Sequence, residues 1–448
     1  MLNVKEAEAR AAALVEAAMK AGADAADVLY AGEGSTGVQV RLGALEDVER
    51  SEGETIGLRF FTGRKSATIS SSDLSDEALG MLVERAAAMA REAPDDPYAG
   101  LAPEDRVLKG AAPDVEGDDG LDPAPAALKE RALAVEDAAR AVAGVTNSEG
   151  AGVSAGRTVI ALATSHGFCR GYSTSGYSAS ASVIAGSGAH MQRDYESHST
   201  RHYADLDDPE TIGRKAGERA VRRLEPGRLA SGVMPVLFDP RIGGSLVGHL
   251  IGAMSGSAIA RQTSFLLGRE EEALFPEAIR ITDYPLRKRG LRSKPFDGEG
   301  LPTATRDLVA NGRVTGWLMN SAAARQLGLE PTGHATRGVG GSPGISATNV
   351  TLLPGAVSPE ELMGDIALGL YVTELIGQGV NTVTGDYSRG ATGFIIENGR
   401  ITRPVEEITI AGNLIDMYRT LAAANDLEYR RATNVPTLRI DGMTVAGA

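Results

Sequence analysis

The sequence predicts an α+β fold in two domains. Residues 1–228 read as an N-terminal α/β-type sandwich, and residues 229–448 as a largely antiparallel β domain with a glycine-rich helix. Three observations point there. Stretches with apolar residues every three or four positions are interleaved with stretches that alternate apolar and polar. Asn-Gly occurs twice between β-branched runs, at Asn311-Gly312 and Asn398-Gly399, and this pair favours the type I′ hairpin turn. Glycine is also abundant, 55 of 448 residues, or about 12% against an average of about 7%, while aromatic residues are only 4%. Many turns and a core of small aliphatic side chains follow.

The elements come in order. Ala7, Ala11, Leu14, Val15, Ala18 and Met19 define one helix face, and Gly22 is its stop. Asp27 to Ala31 reads as a strand, and Val38, Val40 and Leu42 as another. Gly57–Thr62 and Ala67–Ser70 form a hairpin. Leu79, Leu82, Val83 and Ala86 place a second helix over 75–93. Residues 94–124, rich in Pro, Asp and Gly, read as a long connection. A helix follows at about 125–143, then alternating Ser/Gly/Thr-rich sheet to about 190, then a helix over 208–224 with Pro209 near its start. Glu225-Pro226-Gly227 ends this half. Ile242–Ala260, 19 residues without an acid or a lysine or arginine, holds five Gly, three Ser and a His, too little apolar content for a membrane span. It reads as a buried helix. Gly355–Leu375 reads as a loop and helix, and strands complete the chain.

Charge narrows the function. Lys and Arg number 45 against 59 Asp and Glu, a net −14, which argues against sequence-independent nucleic-acid binding and against anionic membranes. The N-terminal residues carry no apolar export segment, so the expected location is the cytoplasm. The one cysteine, Cys169, allows no intrachain disulfide and no cysteine-based zinc cage. Six histidines remain as metal candidates.

Several motifs fail on context. Gly32-Glu33-Gly34-Ser35-Thr36-Gly37 spells a dinucleotide fingerprint but precedes an alternating strand where a helix is needed, so it reads as a turn. Gly57–Ser66 has one residue too many for a P-loop. His198 and His202, with His190 nearby, have helical metal-site spacing in a stretch that disfavours helix. They read as solvent-facing polar residues, with a metal at His190, His198 and His202 as a weaker alternative. The two Asn-Gly hairpins read as unrelated rather than as a duplication.

Two segments stand out. Gly244, Gly248, Gly252 and Gly256 recur every four residues, forming one bare ridge on a helix against which another backbone could pack, with His249 beside it. Gly385–Gly393 sets Asp386, Tyr387, Ser388 and Arg389 between glycines, as a groove-lining loop or as a structural turn with an Asp386–Arg389 pair. Physics alone leaves both readings open.

At these residues the chain resembles the TldD/PmbA family, in its TldE (PmbA) branch. The resemblance is carried by Thr373–Val380, Gly385–Ala391, Glu397-Asn398-Gly399 and Pro404–Leu414, by Ser264-Phe265-Leu266, by Leu327-Gly328-Leu329 and Thr332-Gly333-His334-Ala335, and by the segment around His249. It runs almost end to end. It implies a cytoplasmic peptidase of two homologous chains that cleaves unfolded or flexible peptides. The TldD-type chain holds zinc through a His-Glu-x-x-x-His helix and a distant cysteine; the TldE-type chain pairs with it. Here His249 matches the first histidine, Leu250 stands where the glutamate would be and Met254 where the second histidine would be. No cysteine lies in the C-terminal half. The resemblance therefore implies no catalytic and no metal-binding residue on this chain, with zinc on the TldD-type partner. The groove or partner interface is expected at His249, Gly252, Asp386, Tyr387, Ser388 and Arg389. Peptide and the TldD-type chain are the expected partners, with homodimerisation open in the partner's absence. The alternative is a regulatory protein acting on another protein, such as a topoisomerase, with no peptidase role.

Overall fold

A computed structural model describes residues 1–447. Its fold is α+β, built on two large sheets. The first contains β1 (Ala25–Arg41), β2 (Ala44–Thr62), β3 (Lys65–Ser71), β4 (Val145–Thr164), β5 (Cys169–Ala185) and β6 (Gln192–Thr200) in the order β3-β2-β1-β4-β5-β6, all antiparallel. Four helices cover one face: α1 (Val4–Lys20), α2 (Asp76–Glu92), α3 (Pro125–Arg140) and α4 (Pro209–Arg222). Their starts are written in the sequence. Asn3 and Glu6 form a capping box, Ser75 and Asp208 cap α2 and α4, and Pro125 and Pro209 occupy first-turn positions. Helices α1 and α2 bury their alanine and leucine stripes on Ala26, Val28 and Tyr30 of β1, while α3 and α4 pack on Val38 and Val40 further along that strand. On the opposite face, Leu29 and Leu162 meet Phe168 and Phe296, so this sheet also supports the second half.

One expectation fails here. The segments 27–31 and 38–41 belong to one 17-residue strand, Leu42 lies in the turn after it, and the Gly32–Gly37 motif lies inside the strand, not in a turn. Residues 32–37 pair with Glu49–Glu54 on one side and Arg157, Thr158 and their neighbours on the other. Two ladders outweigh the weak strand propensity of glycine.

The second half begins with β7 (Gly232–Phe238), α5 (Pro240–Ala253) and α6 (Gly256–Ala260). A small sheet follows from β8 (Ile281–Asp283), β9 (Arg306–Ala310) and β10 (Arg313–Val314); after α7 (Ser321–Leu327) comes the short ladder of β11 (Ala335–Thr336) and β12 (Gly344–Ile345). Then come β13 (Val350–Leu352), α8 (Pro359–Met363), β14 (Leu368–Ile376), β15 (Asp386–Glu397), β16 (Arg400–Asn413), α9 (Leu414–Arg419), β17 (Ala422–Ala423), β18 (Thr433–Asn434) and β19 (Leu438–Ala446). The second large sheet runs β16-β15-β14-β7-β19-β17, and β16 also pairs with β19. Five strands therefore close into a ring, antiparallel except where β7 lies parallel to β14. The main core of this half includes Phe238, Leu246, Leu250, Ile395 and Tyr418.

Both Asn-Gly hairpins form. Asn311 and Gly312 have φ of 51° and 72°, Asn398 and Gly399 of 51° and 74°, the positive pair that a type I′ turn demands. Other expectations need correction. The helix expected within 355–375 is only the five residues of α8; Leu368–Leu375 is strand, because Leu370 and Val372 are buried between β7 and β15. The glycine-rich segment is two helices with a break at Met254-Ser255, and Gly248 and Gly252 are exposed, so it is only half buried. Among the described residues no helix is long and apolar enough to cross a membrane.

Candidate functional site

Helix α5 starts where Asp239 caps the backbone N–H of Arg241 and Pro240 sets the first turn. Its Leu246, Val247, Leu250 and Ala253 face the core. The glycine ridge does not receive another backbone along its length. A Cβ on Gly244 would meet Thr433 at 3.5 Å and one on Gly256 would collide with Met319, but Gly248 and Gly252 look onto open space. The middle of the ridge is thus a bare helix surface beside His249.

His249 lies edge-on to Tyr387, with ring centroids 6.1 Å apart. Its Nε2 is buried without a hydrogen-bond partner. Burial, and then the Arg389 guanidinium, hold the imidazole below its ordinary pKa, so it is neutral near pH 7. The Tyr387 hydroxyl is also buried and unpartnered, and burial pushes its pKa up.

Gly385–Gly393 is not a loop: from Asp386 it is strand β15. Strand alternation splits the expected cluster across two faces. Tyr387 is buried towards His249, whereas Asp386 and Ser388 are exposed. Asp386 accepts hydrogen bonds from Thr384 Oγ1 at 2.6 Å and Asn413 Nδ2 at 3.1 Å, which hold its carboxyl below the usual range. Arg389 instead donates to the Ile376 carbonyl at 3.4 Å, so no Asp386–Arg389 pair forms. The structure therefore brings His249, Tyr387 and Arg389 together, while Gly252 and the Asp386 and Ser388 side chains border this group without joining it.

Arg389 also lines a cavity of about 540 Å³ between the two large sheets. Strand β6 supplies Arg193, Asp194 and Tyr195, α4 is continued by Arg223, and α5 gives Arg241 and Ser245; Thr373 and Glu374 come from β14. Asp194, buried, pairs with Arg241 at 3.0 Å and Arg223 at 3.4 Å, and Arg223 reaches Glu374 at 2.8 Å. Thr373 Oγ1 is buried without a partner. Sequence reasoning missed this assembly. Its arginines come from segments spread between Arg193 and Arg431, and no local pattern links them. Their chemistry suits anion binding, since guanidinium groups grip carboxylates at two points.

The histidines of the first half are not gathered into a metal site. His198 Nδ1 accepts from the Asp207 backbone N–H at 3.0 Å, and His202 Nε2 lies 2.9 Å from the Glu116 carbonyl. Both are partly buried and committed to the fold, not solvent-facing as expected, because β6 and the turn after it dock on neighbouring segments. Nor do the residues around His249 fit a zinc ion. Leu250 and Met254 are completely buried in the apolar core, and the charged group nearest the imidazole in effect is the cationic Arg389. A zinc site needs three ligands and an activating carboxylate. Among the described residues no cluster of three His, Cys, Asp or Glu side chains could hold a metal.

Comparison with known proteins fits this geometry. Three family profiles match: PmbA/TldA metallopeptidase domain 1 over residues 26–90, the central domain over 118–224 and the C-terminal domain over 231–447. The metalloprotease PmbA of Escherichia coli O157:H7 is 37% identical, over 95% of this chain and 92% of its own length. A PmbA homologue of Haemophilus influenzae is 36% identical over 100% and 98%. Among solved structures, a candidate modulator of DNA gyrase from Bacteroides thetaiotaomicron superposes with a TM-score of 0.90 at 27% identity, covering 100% of both chains. TldE of Thermococcus kodakarensis shares the fold, with a TM-score of 0.86 at 21% identity over 97% and 99% of the two chains. With near-full-length identity to metalloproteases and all three domain profiles in order, the chain belongs to the PmbA/TldD metallopeptidase family.

Proposed function

We propose that this chain is the non-catalytic, TldE-like subunit of a cytoplasmic two-chain zinc peptidase acting on unfolded or flexible peptides. The observation that carries this reading is the state of the metal helix. His249 remains, but Leu250 and Met254 are core residues, and Arg389 puts positive charge next to the imidazole. Zinc and the activating carboxylate then belong to a TldD-type partner. This chain contributes a wall of the peptide groove, at the bare Gly248–Gly252 surface, the His249–Tyr387 contact and the cavity beside Arg389. A peptide bound as an added strand would lie on β6, an edge of its sheet whose Arg193–Tyr195 end borders the cavity, and would displace the Asp194 and Arg219 side chains that hold the Tyr195 backbone. We take residues 1–228 and 229–448 as the two domains, each centred on one large sheet.

Purified alone, the chain should contain no stoichiometric zinc and should leave unstructured peptides intact. Adding a TldD-type chain should give a stable complex that cleaves them. Tight zinc binding together with cleavage by this chain alone overturns the proposal. A second reading comes from the relatives described as modulators of DNA gyrase. Affinity capture from the native cell separates the two: a TldD-type chain supports the subunit reading, and a different stable partner in its absence supports regulation.

A further inference from the structure

The arginines of the cavity are not balanced by its acids. Six guanidiniums line it against two carboxylates, Asp194 and Glu374, and both carboxylates are already held by Arg223 and Arg241. Among the described residues, Arg292, Arg389 and Arg431 have no carboxylate within ion-pair distance; Arg389 reaches only a backbone carbonyl. The adjoining cavity, which shares Arg431, differs in degree: its Lys288 and Arg289 bind Glu116 and Asp205 and its Arg430 binds Asp207, while Arg201 and Arg287 reach backbone carbonyls and the Thr351 hydroxyl. Three unpaired guanidiniums around one recess repel one another, and an anion with several oxygens relieves that repulsion.

Two further features give the anion its form. Thr373, only 8% exposed, presents a hydroxyl buried without a partner in the same wall. The rim includes Arg193 and Tyr195 of β6, whose Tyr195 backbone N–H and carbonyl are already held by Asp194 and Arg219, so the recess meets a ligand with side chains and not with a strand edge. We propose that this cavity binds the carboxylates of an extended acidic peptide, with Arg292, Arg389 and Arg431 as the specificity-determining residues. A peptide fits better than a nucleic acid. A peptide can carry single carboxylates into the recess on side chains spaced along its backbone, whereas the contiguous phosphates of a nucleic acid would meet the repulsion of the acidic surface beyond the recess.

The inference deepens the peptide-groove reading, but its test needs no zinc, partner or cleavage, so the two can fail separately. Four labelled probes are titrated into the full chain at low salt. They are an amidated peptide of alternating Gly and Glu, its amidated Gln counterpart, the Gln peptide with a free C-terminus, and a single-stranded oligonucleotide of matched charge. The Glu peptide should bind at least about tenfold tighter than the amidated Gln peptide, with the advantage shrinking as salt rises. A gain confined to the free C-terminus supports the cavity and identifies the chain-end carboxylate as its ligand. The triple variant Arg292→Gln, Arg389→Gln, Arg431→Gln should erase the preference. If that variant does not fold, the double variant R292Q/R431Q, which changes two exposed residues, should reduce it. Equal binding of all three peptides, a preference untouched by the variants, or tighter binding of the oligonucleotide overturns the proposal.

Discussion

The sheet formed by residues 25–200 stays open, whereas β7, β14, β15, β16 and β19 close into a ring. The open sheet has long strands, all antiparallel, and one face covered by four helices. The ring has shorter strands and one parallel pair, and both sheets carry bulges. The difference also governs exposed edges. The ring has few free ladder groups, since closure pairs its strands with one another. The open sheet must protect its edges by other means. Residues 44–54 of β2, beyond the reach of β3, are nearly all exposed and carry Glu46, Asp47, Glu49, Glu52 and Glu54, charges that discourage edge-to-edge pairing. Its other edge, β6, is the one that meets the cavity. There the Asp194 and Glu196 carboxylates accept from the Tyr195 and Ser197 N–H groups and Arg219 donates to the Tyr195 carbonyl, so side chains cap the strand edge at the seam between the two halves.

That seam is held by a buried charge cluster, and breaking it should give the largest effect. Asp27 of β1 pairs with Arg59 of β2 and, at 2.5 Å, with Arg337 of the second half. All three side chains are almost fully buried. Burial alone would raise the Asp27 carboxyl, but the two guanidiniums outweigh it and hold it below its ordinary value. Asp27→Asn leaves two buried cations without their anion, so it should cost about 3–5 kcal/mol in denaturant unfolding. A loss below about 1 kcal/mol would mean that water reaches the cluster and that the seam is loose.

The next contrast concerns glycine. In the first half, a Cβ on Gly213 of α4 would stand 2.1 Å from the Val135 carbonyl oxygen and 2.7 Å from the Ala139 nitrogen of α3. Those are backbone atoms, so two helices must separate. Gly213→Ala should destabilise by about 1–3 kcal/mol. In the second half, Gly248 of α5 meets nothing within 4 Å. Gly248→Ala should stabilise by about 0.5–1 kcal/mol, the helix-propensity gain. If it also weakens peptide binding, the bare surface serves the groove rather than the fold.

These cases show what the sequence made legible. Helices α1 to α4 were readable because their apolar stripes, caps and prolines are local features, and each packs on one sheet face. Gly213 and Gly248 look alike as letters; only the partner 70-odd residues away in the chain, or its absence, tells them apart. The ring was not readable, because β14 lies between strands from distant segments and its Leu370 and Val372 owe their burial to them. At the candidate site, the single His249 followed by Leu250 and Met254 was legible as text. The split of Asp386–Arg389 over two faces was hidden by glycines that suggested a loop. The arginine cavity was hidden altogether, since its wall is assembled from seven separate stretches.

The two halves also bury acids under opposite conditions, which sets opposite responses to pH. Asp27 has a lowered pKa, so its contribution is present above the ordinary carboxyl range and is lost as pH falls through the folded value. Asp297, buried and beside Glu299, is pushed up to about 7. Its unfolded value is lower, so the unfolded chain releases the proton first, and stability falls as pH rises from the ordinary carboxyl range to about 7. The slope is about 1 kcal/mol per pH unit across that window. Asp297→Asn keeps an oxygen to accept from the Glu299 and Leu301 backbone N–H groups, gives up the acceptor that faces the Ala335 N–H, and cannot ionise. It should flatten unfolding free energy against pH between about 4 and 7, while Asp27→Asn removes the acid-side loss instead. An unchanged slope in Asp297→Asn would mean that this carboxylate is ionised in the fold at neutral pH.

The smallest expected effect lies at the seam, where Arg389 faces both the cavity and His249. Burial and Arg389 both depress the imidazole pKa. Arg389→Gln removes the second cause and leaves the first, so the His249 resonances should titrate at higher pH than in the parent chain while staying below the ordinary histidine value. The other five histidines, distant from this charge in sequence and in bonding, should not move. A carboxylate bound in the cavity should act in the same direction by neutralising Arg389, so an acidic peptide added to the parent chain should also raise the His249 pKa. In Arg389→Gln that response should shrink. If acidic peptide binds but His249 does not respond, the peptide is held by Arg292 and Arg431 at the outer rim, and the histidine surface is a separate part of the groove.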